Sequence, residues 1–145
     1  MSRLEFPIPT ETFWRRLLFG YFAVLGIIGF WPTPVDKPAQ GMLMRTLSFL
    51  HRHGIPDWVD YGFTEATGNV LLFVPVGFLA TLAYRSRSWW ENAALGLMAS
   101  ACIEIGQWLF LPQRYPSIED LILNTSGTIA GIFLVYVQRR GIAAS

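Results

Sequence analysis

Charge is what this chain has least of. Only 14% of its residues are charged, against about 25% in a typical soluble domain. Hydrophobic residues make up 52% and mean hydropathy is +0.38, so an ordinary water-exposed surface is excluded. The formal net charge is +1, too little for the broad basic field that nucleic-acid binding needs. A single cysteine, Cys102, excludes an intrachain disulfide framework. It falls in an apolar run and reads as a small core residue. His51 and His53 are the chain's two histidines. Neither belongs to an HExxH motif or a Cys/His zinc spacing. A metal site from Glu65, Glu104, Asp120 and a histidine has the right ligand types but no supporting spacing, so neither metal nor cofactor is expected. Ser100 has no histidine placed to make a hydrolytic triad. Gly-rich phosphate loops, internal repeats and low-complexity segments are all missing.

What is there is a set of four apolar runs, at about 13–31, 67–84, 89–111 and 118–137. The first holds about 19 residues, or roughly 28 Å of helix at ~1.5 Å per residue, enough for a hydrocarbon core of about 30 Å. Arg15 and Arg16 precede it, but Trp31-Pro32-Thr33-Pro34 follows in place of a small-residue cleavage site, so it reads as a span and not a signal peptide. The second run contains Pro75, which removes one helical hydrogen bond and favours a kink. Between the first two runs lies an outer loop, 32–66, rich in proline and loop charges. Within it, Gln40 to His53 places Leu43, Leu47 and Leu50 on one helical face, too short to span. Trp58 and Tyr61 suit the headgroup level. The fold class expected is all-α: an integral membrane four-helix bundle with a short amphipathic extracytoplasmic helix between helices 1 and 2. A cytoplasmic arm (1–12) precedes the single transmembrane domain (13–138), and a cytoplasmic tail (139–145) follows.

Basic residues choose the orientation. Arg3, Arg15, Arg16, Arg85, Arg87, Arg139 and Arg140 would share one side; Lys37, Arg45, Arg52 and Arg114 are spread over the other. The positive-inside rule then puts both termini in the cytoplasm of a multi-pass protein. Glu65 and Asn69, Glu104 and Gln107, Asp120 and Asn124, and Arg114 in the turn at 112–117 all fall toward the outer face.

Their spacing carries the site hypothesis. Ser100, Glu104 and Gln107 stand at i, i+4 and i+7 on one helix face. Glu65 and Asn69, and Asp120 and Asn124, stand at i, i+4. Three spans thus each offer a carboxylate with an amide one turn away. A charge at bilayer depth costs roughly 2.5–3.5 kcal/mol on insertion scales, so Glu104 needs a partner or a use. Several readings stay open. Ser117 can cap the fourth span with Asp120 at its third position. The polar set can be glue in a tight bundle, with one carboxylate paired to Arg114. Glu104 or Asp120 can be a catalytic acid or base. Arg114, with Lys37 and Arg45, can meet a phosphate headgroup. Gly127 and Gly131 form a stripe for close helix approach, with Gly96 and Ala99 of the third span as the expected facing positions.

Asn69-Val-Leu-Leu-Phe73-Val-Pro75-Val-Gly77 resembles the Asn-x-x-x-Phe-x-Pro-x-Gly signature of VanZ-like membrane proteins. Ser100-x-x-x-Glu104-x-x-Gln107, then Arg114, then Asp120-x-x-x-Asn124-x-x-Gly127-x-x-x-Gly131 matches the rest of that pattern in order. The resemblance covers roughly residues 60–138. It implies a small bacterial inner-membrane protein of the cell envelope, from a family whose founding member is associated with low-level resistance to the glycopeptide teicoplanin. It also adds Asn69, Phe73 and Pro75 to the unit, and Gly77 to the packing glycines. The expected site is an outward-facing pocket for a lipid-linked cell-wall precursor or a peptide ligand, formed by Glu65, Asn69, Phe73, Pro75, Ser100, Glu104, Gln107, Arg114, Asp120 and Asn124. Membrane lipid is the other expected partner, nucleic acid is not, and a homo-oligomer stays open.

Overall fold

In a computed structural model the chain is described over residues 9–30, 40–112 and 115–143. Five helices make up these residues: α1 (Glu11–Gly29), α2 (Gln40–Arg52), α3 (Tyr61–Ala83), α4 (Trp89–Phe110) and α5 (Ile118–Ala143). All but α2 are long and apolar enough to cross a membrane. The expected helical membrane bundle is what the chain forms.

Local chemistry sets where each helix begins. Thr10 caps α1, its hydroxyl accepting from the Phe13 N–H, so the helix starts inside the segment expected to be an arm. Asp60 caps α3 in the same way, through the Phe63 N–H at 2.9 Å. The second span therefore begins at Tyr61 and not near Thr67, and Glu65 stands on a helix wall, not in a loop. An aspartate directly before an apolar run is the sequence signal for this start. At α4, the Ser88 N–H and hydroxyl both donate to the Glu91 carboxylate. Trp31, where the first span was expected to end, lies outside the described residues; Phe30 already caps α1.

The bundle is centred on α3, which packs against α1, α4 and, most extensively, α5. Between α3 and α5 the backbones nearly touch. A Cβ on Gly127 would overlap the Val70 carbonyl, one on Gly131 the Val74 carbonyl, and one on Gly77 the Thr128 carbonyl. Gly127 on Val70 and Gly131 on Val74 advance together along the chain, so α3 and α5 run parallel. The glycine stripe thus faces α3, and not α4 as its place in the chain suggested. α4 meets α5 one residue further round, where Gly96 fits against the Thr128 side chain.

Leu18, Leu25, Phe73, Val76, Ala80 and Ala83 form the buried core between α1 and α3. Pro75 is half-buried in α3. It cannot donate to the Leu71 carbonyl, and the adjacent Leu72 carbonyl accepts from the Tyr21 hydroxyl at 2.7 Å. Large apolar side chains such as Phe19, Ile27, Leu71, Met98, Trp108 and Phe133 point outward, as hydrocarbon requires. Cys102 is among the outward-facing residues, so it is not the core residue expected. Its helix face is turned away from α3 and α5.

Gly131→Ala should lower the thermal midpoint in detergent, because overpacking costs about 1–3 kcal/mol. Gly20→Ala, where a Cβ meets nothing within 4 Å, should leave it nearly unchanged. Equal midpoints for the two variants would contradict the close α3–α5 contact.

Candidate functional site

The end of the bundle holding the C-termini of α1 and α4 and the N-termini of α3 and α5 carries the polar residues. Ser117 is the N-cap of α5, its hydroxyl accepting from the Asp120 N–H at 3.1 Å. Its own N–H donates to Glu104 Oε2 at 2.9 Å. Glu104 on α4 thus performs for α5 what the third helical residue performs in a capping box. The partial positive charge of the α5 N-terminus favours a carboxylate there. Asp120, the third residue, is turned to α3, where it accepts from Asn69 Nδ2 at 2.7 Å.

One turn deeper, Asn124 Nδ2 donates to the Ser100 hydroxyl at 2.9 Å, joining α5 to α4. Ser100 is fully buried, and Asn124, at 6% exposure, is nearly so. The other end of that amide, Oδ1, is buried with no hydrogen-bond partner among the described residues. Gln107 reaches the fourth wall: its Nε2 donates to the Gly29 carbonyl at the end of α1, 2.8 Å away. A Cβ on Gly29 would come within 3.0 Å of Ile103, so glycine there lets α1 sit close to α4.

These bonds surround a pocket of ≈ 300 Å³. Glu65, Asn69, Phe73, Glu104, Gln107, Asp120 and Asn124 all line it. Phe73 is 3% exposed and serves as core as well as lining. Ser100 and Pro75 do not line it: Ser100 supports Asn124 from behind, and Pro75 lies deeper on α3. Arg114 and Lys37 lie outside the described residues. Arg45 is exposed on α2 and takes no part in the lining.

Sequence reasoning placed the pocket between the second, third and fourth spans. The first span and α2 contribute as well, through Leu25, Ile28 and Gly29 and through Leu43. Tyr61 and Thr64 complete the α3 side; their i, i+4 relation to Glu65 and Gly68 becomes visible once Asp60 is read as a cap. Leu43, Leu47 and Leu50 of α2 turn inward together, with Leu43 forming part of the pocket and α2 touching the start of the bundle through α3. Outside the pocket, His51 meets the Val59 carbonyl and His53 the Phe49 carbonyl. Asn92, at 1% exposure, is buried at the opposite end of the bundle, an exception to the expectation that the deep polar groups share one level. No group of three His, Cys, Asp or Glu residues among the described residues is arranged to hold a metal ion.

A family model described as VanZ/LLP1 matches residues 18–139. The chain belongs to the VanZ/LLP1 family. The match takes in most of α1, all of α2, and the whole of the polar end, so all five helices fall within the matched length in whole or in part. With its four apolar helices, this VanZ/LLP1 chain is a membrane protein. No curated protein and no solved structure matches it.

A double-mutant cycle on Ser100→Ala and Asn124→Ala should give a coupling of roughly 0.6 kcal/mol, the size typical of interhelical hydrogen bonds in membranes. The readout is unfolding in detergent or bicelles. A coupling indistinguishable from zero would mean that the two side chains are not bonded.

Proposed function

We propose that this VanZ/LLP1 protein is a cell-envelope protein of the bacterial cytoplasmic membrane, with both termini in the cytoplasm. It binds the polar part of a lipid-linked or peptide ligand in the pocket at the extracytoplasmic end of the bundle. The carrying observation is the pocket itself: ≈ 300 Å³, lined by carboxylates and amides from three spans. Polar groups kept only as glue would be packed shut, because interiors close to crystal-like density. Here they hold a space open. In this reading Glu104 and Asp120 are the charged contacts, Asn69, Gln107 and Asn124 orient the ligand, and Arg114 is the cation. Pro75 frees the α3 backbone below them. The link to glycopeptide resistance rests on the resemblance to teicoplanin-associated VanZ proteins.

Orientation is supported by the opposite end. There Arg15 Nε donates to the Ala83 carbonyl at 3.1 Å, Arg85 to the Pro9 carbonyl at 3.1 Å, and Arg15 and Arg87 both lie over the Tyr84 ring. Arg139 and Arg140 close α5 at that end too. An excess of basic residues at helix ends favours the cytoplasmic side, which supports an outward-facing pocket. A fluorescent-protein fusion at Arg87 should be bright and an alkaline phosphatase fusion at Gln113 active; the reverse pattern would overturn the orientation.

On this reading expression of the wild-type chain changes teicoplanin susceptibility, and Glu104→Gln and Asn124→Ala, each inserted at the wild-type level, should both abolish that change. If both retain it, the pocket is not the working part. Retained binding with loss of product from a lipid-linked precursor in Glu104→Gln would instead make Glu104 an acid or base.

A further inference from the structure

The walls of the pocket are of two kinds. α3, α4 and α5 present carboxylates and amides; α1 and α2 present Leu25, Ile28 and Leu43. A ligand that lived wholly in water would gain little from the second wall. The far side of α1 is lined by Phe19, Val24 and Ile27, all exposed and so facing hydrocarbon. α1 packs along α3 but meets α4 over a much shorter stretch, with contacts at Gly29 and Phe30. Beneath those contacts the α1–α4 seam, packed through Ile103 against the core that holds Leu25, separates the apolar wall from the bilayer, and a hydrocarbon chain that parted it would not cross water.

Size narrows the polar end. At ≈ 300 Å³ the pocket stands at the bottom of the range for small-molecule sites, about 300–1,000 Å³. That favours a single small unit, such as one sugar ring or one amino alcohol, as the part the pocket holds. Chemistry narrows it further. Asn124 lines the pocket and commits Nδ2 to Ser100, while its buried Oδ1 has no partner among the described residues. A buried acceptor is costly to leave unmatched. A small turn of the amide toward the pocket would expose that oxygen to an N–H or O–H brought in by the ligand.

We propose that the pocket takes the headgroup of a membrane amphiphile: a single small unit bearing an N–H or O–H donor for Asn124, with its hydrocarbon chain along Leu25, Ile28 and Leu43. This rests on the pocket being the binding site, and it decides for a lipid over a free peptide.

The test uses the full chain in phosphatidylcholine nanodiscs. Photoreactive lipids share one diazirine-bearing acyl chain and carry a glucosyl, an ethanolamine or a choline head; choline alone lacks a donor. Mass spectrometry should find Leu25, Ile28 and Leu43 labelled by a donor head about fivefold more than by choline, the factor one net hydrogen bond supplies. Asn124→Leu should bring that labelling down to the choline level, with labelling of lipid-facing Met98 unchanged. Leu43→Trp, which fills the roof and leaves the Asn124–Ser100 pair in place, should abolish wall labelling by every probe and serves if Asn124→Leu does not fold. Equal wall labelling by all three heads, or none by any, overturns the proposal. In the latter case, binding of methyl β-glucoside, ethanolamine or acetyl-D-alanyl-D-alanine to the same nanodiscs would show that the pocket still binds and only the amphiphile is wrong. No binding of these either would remove the pocket reading too.

Discussion

The bundle depends on the parallel approach of α3 and α5. Lipid tails are as apolar as leucine, so the hydrophobic effect does not press helices together inside a bilayer. What remains is close packing, and here glycines allow the nearest approach that two helix backbones make. Gly127 and Gly131 of α5 lie on the carbonyls of Val70 and Val74, and Gly77 of α3 lies on that of Thr128. Such interlocking has one register. That register sets Asn69 opposite Asp120 and leaves the Asn124 side of α5 for α4.

The polar end is then a consequence of capping. The first N–H groups of α5 have no partner within their own helix and find partners on neighbouring side chains. Ser117 supplies one for Asp120, and Glu104 receives the N–H of Ser117. A carboxylate that looked expensive in the middle of α4 is stabilised by the end of its neighbour. Because Glu104 closes the cap from outside, Asp120 is released toward α3. The three carboxylate-bearing helices are thereby held around a space and not collapsed onto one another.

The four spans were legible in the residues, as was the alignment of polar groups at one end. Helical periodicity and the lack of charge are enough for the first, and i, i+4 spacing for the second. The α2 face of Leu43, Leu47 and Leu50 was legible for the same reason. The start of α3 was not, because Gly62, Thr64 and Glu65 lower local hydropathy and hide a helix that Asp60 nevertheless caps. Cys102 was misplaced because hydropathy is high on both sides of a helix whose outer side faces lipid. The contribution of α1 to the pocket was invisible: a backbone carbonyl, that of Gly29, accepts from Gln107, and carbonyls have no sequence signature.

By itself the sequence determined that this is a helical membrane protein, where its spans lie, and which side chains share a helix face. Those follow from hydrophobicity and from a repeat of ~3.6 residues, both local properties. Only the tertiary structure decided which faces meet. It paired α5 with α3, a helix not adjacent to it in the chain, because small residues on both let the backbones touch. It made Glu104 the cap of another helix and left one end of the Asn124 amide without a partner among the described residues, beside the pocket. These are relations between elements brought together by packing, and spacing along the chain does not encode them.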